Sequence, residues 1–157
     1  MRHAKSDWGD ASISDHDRPL NGRGRRDAPR MAAWIESIDS VPDVILCSSA
    51  TRTTQTAELM IQHWSTAPKL IRSERLYLSN PETILRLIDT EASSATRLLV
   101  IAHNPGISSL VSHLADQLLP MPTAGVAVFS DKDGEFQFET FMRPKALPDQ
   151  DADSDAL

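Results

Sequence analysis

One cysteine, Cys47, stands in the whole 157-residue chain, so no intramolecular disulfide framework holds it together. Cys47 sits within an apolar run, where a buried and inert thiol is expected. Aromatic residues are scarce at 5%, no apolar stretch is long enough to cross a bilayer, and no apolar secretory segment follows Met1. A membrane partner is therefore not expected, and the cytoplasm is the default location. A basic surplus is lacking too. The formal charge is -6, and four acids (Asp149, Asp151, Asp153, Asp155) crowd into the ending PDQDADSDAL, which leaves -2 over residues 1–148. A body so near neutrality has no electrostatic footprint for nucleic acid. What is present suits one globular domain: 40% hydrophobic and 24% charged residues, and enough length to bury a core.

Apolar runs and helical periods alternate along the chain. Residues 43–47, a β-rich run between Pro42 and a Ser-Ser pair, read as a buried strand. Residues 50–64 turn helical, with Ala57, Met60, Ile61 and Trp64 on one face. Residues 69–71 are a weaker strand, and Pro81 opens a helix carrying Ile84, Leu85, Leu87 and Ile88. The strongest strand, residues 97–102, ends at His103-Asn104-Pro105-Gly106 and runs into a helix with Leu110, Val111 and Leu114. Runs 125–129 and 136–142 flank Asp131-Lys132-Asp133-Gly134, a hairpin turn. Residues 27–38 read as a helix with Pro29 in its first turn. Residues 9–24 form a long polar loop of the kind that carries function. The expected organisation is one domain over residues 1–143 and a disordered acidic tail over 144–157. Strands that are apolar throughout, alternating with helices, predict a three-layer α/β/α sandwich with a mainly parallel sheet and an antiparallel edge.

Ligands in open α/β sheets bind beyond the carboxyl ends of the strands. Three polar clusters fall there: Arg2 with His3, the stretch Ser48-Ser49-Ala50-Thr51-Arg52, and His103-Asn104-Pro105-Gly106. Each alone has an ordinary explanation, as a mobile terminus, a capped helix start with a solvated arginine, or a hydrogen-bonded structural histidine. Together they bring two histidines and two arginines to one sheet edge. That set suits phosphoryl transfer: guanidinium groups hold the oxygens, and a neutral imidazole kept unprotonated by nearby like charge attacks phosphorus. No metal or other cofactor is required by this chemistry. A metal site built from His3, His16 and His103 matches no known ligand spacing. Trp8 is a candidate for shaping the pocket mouth, and Trp34 and Trp64 read as packing residues.

The blocks MRHAKSDW, DRPLNGRG, LCSSATRTTQTAE and IAHNPG resemble the histidine phosphatase superfamily, also called phosphoglycerate-mutase-like, and within it the small SixA-like phosphohistidine phosphatases. The blocks come in the family's order and span nearly all of residues 1–130. The resemblance implies that His3 becomes phosphorylated, with Arg2, Arg52 and His103 forming the phosphate pocket. It also implies that Arg18, Asn21 and Arg23 of the DRPLNGRG block line the entrance and bind substrate.

The chain departs from the family pattern in two places. Relatives place an apolar strand directly before the Arg-His pair, where this sequence has only Met1. The expectation is a truncated central strand, a start site placed late, unpaired backbone groups on its neighbours and a poorly anchored nucleophile. In addition, the region RSERLYLSNPETILRLI offers only Glu74 and Glu82 as acids to protonate a leaving alkoxide, and Glu82 is better explained as a helix-start residue. A phosphoramidate tolerates that lack. The expected function is a metal-independent phosphatase working through a phosphohistidine intermediate on a protein bearing phosphohistidine. The alternatives are a phosphatase of a small phosphorylated metabolite and a phosphate-binding module without turnover.

Overall fold

The computed structural model describes residues 1–148. Three parallel strands run in the order β2 (Lys69–Ser73), β1 (Val44–Ser48) and β3 (Leu98–Ile101), and β4 (Val126–Lys132) pairs antiparallel with β5 (Glu135–Met142). The helices are α1 (Gly22–Ser37), α2 (Thr51–Ile61), α3 (Pro81–Glu91) and α4 (Gly106–Leu114), with single 3-10 turns at Glu74–Leu76 and Pro144–Ala146. Every residue of β1 is buried because it is covered on both faces. Ile45 and Cys47 pack with Ala28, Met31, Ile35, Ala57 and Met60 of α1 and α2. Val44 and Leu46 pack with Ile84, Leu87, Leu110 and Val111 of α3 and α4. These are the three layers that the continuous apolar runs predict.

The first four residues lock into the sheet. Met1 N donates to Val100 O (2.8 Å) and Ala102 N to Met1 O (3.1 Å), while His3 N donates to Ala102 O (3.1 Å). On the other side Arg2 N donates to Gly125 O (3.1 Å) and Ala124 N to His3 O (3.0 Å). Ala4 N then donates to Thr56 Oγ1 of α2 at 3.1 Å. The expectation of a poorly anchored nucleophile is thus corrected, because residues 1–4 wedge between the end of β3 and residues 124–125. Ala124 holds φ 59°, an uncommon region for a non-glycine residue, and that turn brings its N–H to the His3 carbonyl.

Three boundaries also differ from expectation. Helix α1 starts five residues earlier than the periodicity suggests, because Asn21 caps it by accepting from Gly24 N. Pro29 consequently lies inside the helix rather than in its first turn. Only the backbone bond that its missing N–H would make is lost, and burial of Ala28, Met31, Ala32 and Ile35 outweighs it. Helix α2 stops at Ile61, yet Trp64 beyond it is buried and donates Nε1–H to Ala32 O at 3.1 Å. The body extends past residue 143: Pro144 is buried, Leu147 packs on the core, and Arg30 donates to the carbonyls of Leu147 and Pro148. The remainder of the expected tail, 149–157, lies outside the described residues. The hairpin turn holds φ 55° at Asp133 and 85° at Gly134, as a tight two-residue turn between twisted strands demands.

Candidate active site

A cavity of about 310 Å³ opens at the carboxyl ends of β1, β2 and β3, at the small end of the range for ligand pockets. Residues 1–8 bring Arg2, His3, Lys5, Ser6 and Trp8 to it; the polar loop brings Asp15 and Arg18; α2 brings Arg52; and residues after β2 and β3 bring Leu78, His103 and Asn104. A wider groove of about 470 Å³ lies at the opposite ends of the strands. Its charged groups are already engaged: Asp43 accepts from the N–H groups of Thr96 and Arg97, Arg97 pairs with Asp39, and Glu36 lies against His63.

His3 and His103 face each other with ring centroids 5.2 Å apart, and both are buried. His3 Nδ1–H donates to Ala4 O at 2.7 Å, so Nε2 carries the ring's basic lone pair, which accepts from Arg52 Nε at 3.3 Å. Arg52 NH2 donates to His103 Nδ1 at 3.2 Å, so the proton of that ring sits on Nε2 and is donated to Ser48 Oγ at 2.8 Å. Burial, reinforced by the charges of Arg52, Arg2 and Arg18, lowers the His3 pKa to about 4 despite the opposing Ala4 bond. Burial, with His3 and Arg52 close by, lowers that of His103 to about 3. Both imidazoles are therefore neutral at pH 7, and the basic lone pair of His3 is held by Arg52.

Cations surround that lone pair. Arg52 is 2% exposed. Arg2 donates through Nη1 to Met121 O at 3.2 Å, and Arg18 pairs through Nη2 with Asp15 Oδ1 at 3.0 Å. Among the described residues, the buried side-chain nitrogens and oxygens left without a hydrogen-bond partner are Arg2 Nε and Arg18 Nε, and both residues line this cavity. A buried donor without a partner costs about 1–3 kcal/mol.

Comparison with known proteins agrees with this geometry. Residues 1–77 match the model of the histidine phosphatase superfamily, branch 1. The chain belongs to the histidine phosphatase superfamily. An uncharacterized Mycobacterium tuberculosis protein, Rv1276c, is 37% identical over 139 residues, covering 82% of this chain and 85% of its own. Among solved structures, an Agrobacterium tumefaciens protein assigned as the phosphohistidine phosphatase SixA superposes with a TM-score of 0.82 at 28% identity, covering 92% of this chain and 96% of its own. A SixA structure in complex with tungstate gives 0.80 at 24% identity, covering 92% and 95%, which is a likeness of fold.

Not every expected residue reaches the cavity of this histidine phosphatase. Arg2, His3, Arg18, Arg52 and His103 do. Asn21 and Arg23 do not, which corrects their expected place at the entrance. Asn21 spends its side chain on the α1 cap, and Arg23 is half exposed and pairs with Asp27 at 3.4 Å. The NGRG segment instead positions the nucleophile loop. Asn21 N donates to Lys5 O at 3.0 Å, and the bare Cα of Gly24 lies against the Lys5 backbone.

Asp15 and Tyr77 were not singled out by the sequence. Asp15 accepts from Arg52 Nη2 (3.1 Å), Arg18 Nη2 (3.0 Å) and the Tyr77 hydroxyl, whose ring stands edge-on to His103 at 5.4 Å. The Tyr77 hydroxyl bond, then the arginine charges, hold the Asp15 carboxyl below its usual range. Only the spacing Asp15-x-x-Arg18, which pairs an acid and a cation across one turn of loop, hinted at it. Glu74 and Glu82 are absent from the lining. No three His, Cys, Asp or Glu side chains gather as a metal-binding set among the described residues, and no described helix is long and apolar enough to cross a membrane. The Cys47 thiol, buried away from the cavity, is pushed up to about 11 by burial.

Proposed function

We propose that this phosphatase hydrolyses the P–N bond of phosphohistidine on a protein, through a phosphorylated His3. The observation that carries this reading is a neutral, basic His3 Nε2 held against Arg52 in a cavity that Arg2 and Arg18 also line, each with a buried Nε that has no partner. A phosphoryl group between those guanidiniums and Arg52 satisfies the donors and lies within reach of the ring. The likeness to the Agrobacterium tumefaciens SixA supports the same substrate class.

In the first step Arg52 Nε–H passes from His3 Nε2 to a phosphoryl oxygen, and the freed Nε2 forms a bond to phosphorus while the bond from phosphorus to the substrate nitrogen breaks. A phosphoimidazole whose distal nitrogen is protonated leaves as neutral imidazole and needs no acid from the enzyme. An alkoxide would need one. The carboxyl lining the cavity is that of Asp15, held ionised by Tyr77 and two arginines, so it has no proton to give. Phosphorylated His3 carries positive charge in its ring, and its Nδ1–H stays on the Ala4 carbonyl, which stabilises that charge. Water then forms the new O–P bond, the electron pair of the N–P bond returns to Nε2, and the spent water proton leaves with phosphate or solvent. Arg2, Arg18 and Arg52 stabilise the transferring oxygens and His103 fixes the Arg52 fork through Nδ1, so the step as proposed needs no metal ion.

His3→Ala abolishes turnover and the trapping of labelled phosphate on the enzyme, and chelators leave the wild type active. Turnover that survives His3→Ala overturns the nucleophile. A preference for sugar phosphates over a phosphohistidine peptide overturns the substrate.

A further inference from the structure

A half-exposed carboxylate beside an arginine is ordinarily a loose surface pair worth little. Asp15, with a side chain 46% exposed, is not held that way. Its Oδ1 accepts from Arg18 Nη2 at 3.0 Å, and its Oδ2 accepts from Arg52 Nη2 at 3.1 Å and from the Tyr77 hydroxyl. Its carbonyl accepts from Arg52 Nη1. Both guanidiniums belong to buried residues that line the cavity. The third donor is fixed as well: the Tyr77 ring stands edge-on to His16 at 4.9 Å and to His103 at 5.4 Å. His16 in turn is tied to the segment that opens α2, where Thr51 N donates to its carbonyl at 3.0 Å and its Nε2 lies 3.0 Å from Ser49 Oγ.

The Arg52 guanidinium faces two ways. Nη1 and Nη2 form the end of the fork, and both donate to Asp15. Nε and Nη2 form its side, which donates to His3 Nε2 at 3.3 Å and to His103 Nδ1 at 3.2 Å. The side edge is therefore the one turned to the nucleophile, and a phosphoryl oxygen takes it when His3 is released. A planar group gripped at its end is not free to rotate that side away. Arg18 is gripped on the same carboxylate, with the Trp8 ring centroid 3.5 Å from its guanidinium, while its Nε has no partner.

We propose that Asp15 is a positioning residue of this phosphatase: it grips the end of the Arg52 fork and one nitrogen of Arg18 so that both guanidiniums meet the transferring phosphoryl group, and Tyr77 acts through Asp15 by fixing its carboxylate. This rests on the phosphoryl site proposed above, and not on which atom carries the phosphoryl group in the substrate. Aim matters most in the transition state, where charge on the transferred oxygens must meet preorganised donors. Ground-state binding responds in the opposite sense. Asp15 is the one acid among the residues lining the cavity, beside Arg2, Lys5, Arg18 and Arg52, and its charge opposes that of phosphate.

The test measures kcat, KM and the Kd of inorganic phosphate for wild type, Asp15→Asn, Tyr77→Phe and the double variant, with a phosphohistidine peptide and with p-nitrophenyl phosphate as substrates. Asp15→Asn lowers kcat about 10- to 100-fold, while the Kd of phosphate stays level or falls. Tyr77→Phe lowers kcat about fivefold, and adding it to Asp15→Asn costs nothing more, since both act on one carboxylate. A kcat for Asp15→Asn within about twofold of wild type overturns the proposal. So does a phosphate Kd that rises in step with the loss of kcat, the mark of a collapsed loop, and so do independent, multiplying losses in the double variant. Should wild type leave the peptide alone unhydrolysed, the phosphohistidine reading falls by itself, and the nitrophenyl ester still decides the role of Asp15.

Discussion

Replacing Gly24 by alanine tests whether the NGRG segment serves the nucleophile through packing. By helix propensity alone the change should help, since alanine is favoured over glycine within a helix by up to about 1 kcal/mol. The tertiary contact opposes it. A Cβ built at Gly24 lies 2.2 Å from Lys5 O, 2.9 Å from Lys5 N and 3.0 Å from Lys5 C. All three atoms are backbone, so no side chain can swing away. Restoring ordinary contact requires α1 and the loop after His3 to separate by about 1 Å. Overpacking of that kind costs about 1–3 kcal/mol, which exceeds the propensity gain. The net loss of about 1–2 kcal/mol lowers Tm by roughly 3–8 °C in a chain of this size. Function suffers more. Lys5 is two residues from His3, and a misplacement of about 1 Å at a reacting group costs about 100-fold in rate. The assay is thermal unfolding beside kcat/KM on a phosphohistidine peptide. Gly22→Ala serves as control, because the nearest atom to its added Cβ is Arg26 Nη1 at 3.6 Å, an ordinary contact with a flexible side-chain end. A Gly24→Ala protein as stable and as active as Gly22→Ala refutes the argument.

Two further outcomes follow from the same geometry. Arg52→Lys keeps the charge but loses the planar fork that reaches His3, His103 and Asp15 together, so kcat/KM falls about 100- to 1000-fold while the acid limb of the pH profile stays near 4; Arg52→Gln moves that limb up toward 6.5 but not to it, since burial is the larger cause, and steady-state rates from pH 4 to 8 read both. Stability depends on pH with a definite sign. Unfolded imidazoles take up protons near 6.5, whereas folded His3 and His103 do so only at about 4 and about 3, so stability is full above 6.5 and declines as the pH falls toward 4, by about 3 kcal/mol for His3 alone. Urea unfolding at pH 7, 6 and 5 measures that slope, and His3→Ala removes about half of the imidazole part while His103 keeps the rest.

The layer arrangement was legible from the sequence because burial on both faces writes itself into β1 and β3 as unbroken apolar runs, and helices α2, α3 and α4 carry a clear apolar period. The nature of the site was legible for a related reason. His3, Arg52 and His103 each fall at the end of a strand or the start of a helix, where α/β folds gather their ligands. Periodicity misjudged α1, since its amino half, Gly22-Arg23-Gly24-Arg25-Arg26, has no apolar face to announce a helix and is held by a cap and by close contact with Lys5. Motif position also misjudged Asn21 and Arg23, because proximity in sequence to Arg18 says nothing about which way a helix start turns its side chains. Local order thus specified which residue types carry the chemistry and which segments become strands. Only the tertiary structure decided that Asp15 bridges two arginines, that Tyr77 caps that bridge, and that Trp8 keeps one face bare, since these are contacts between segments up to 62 residues apart whose meeting depends on how whole layers stack.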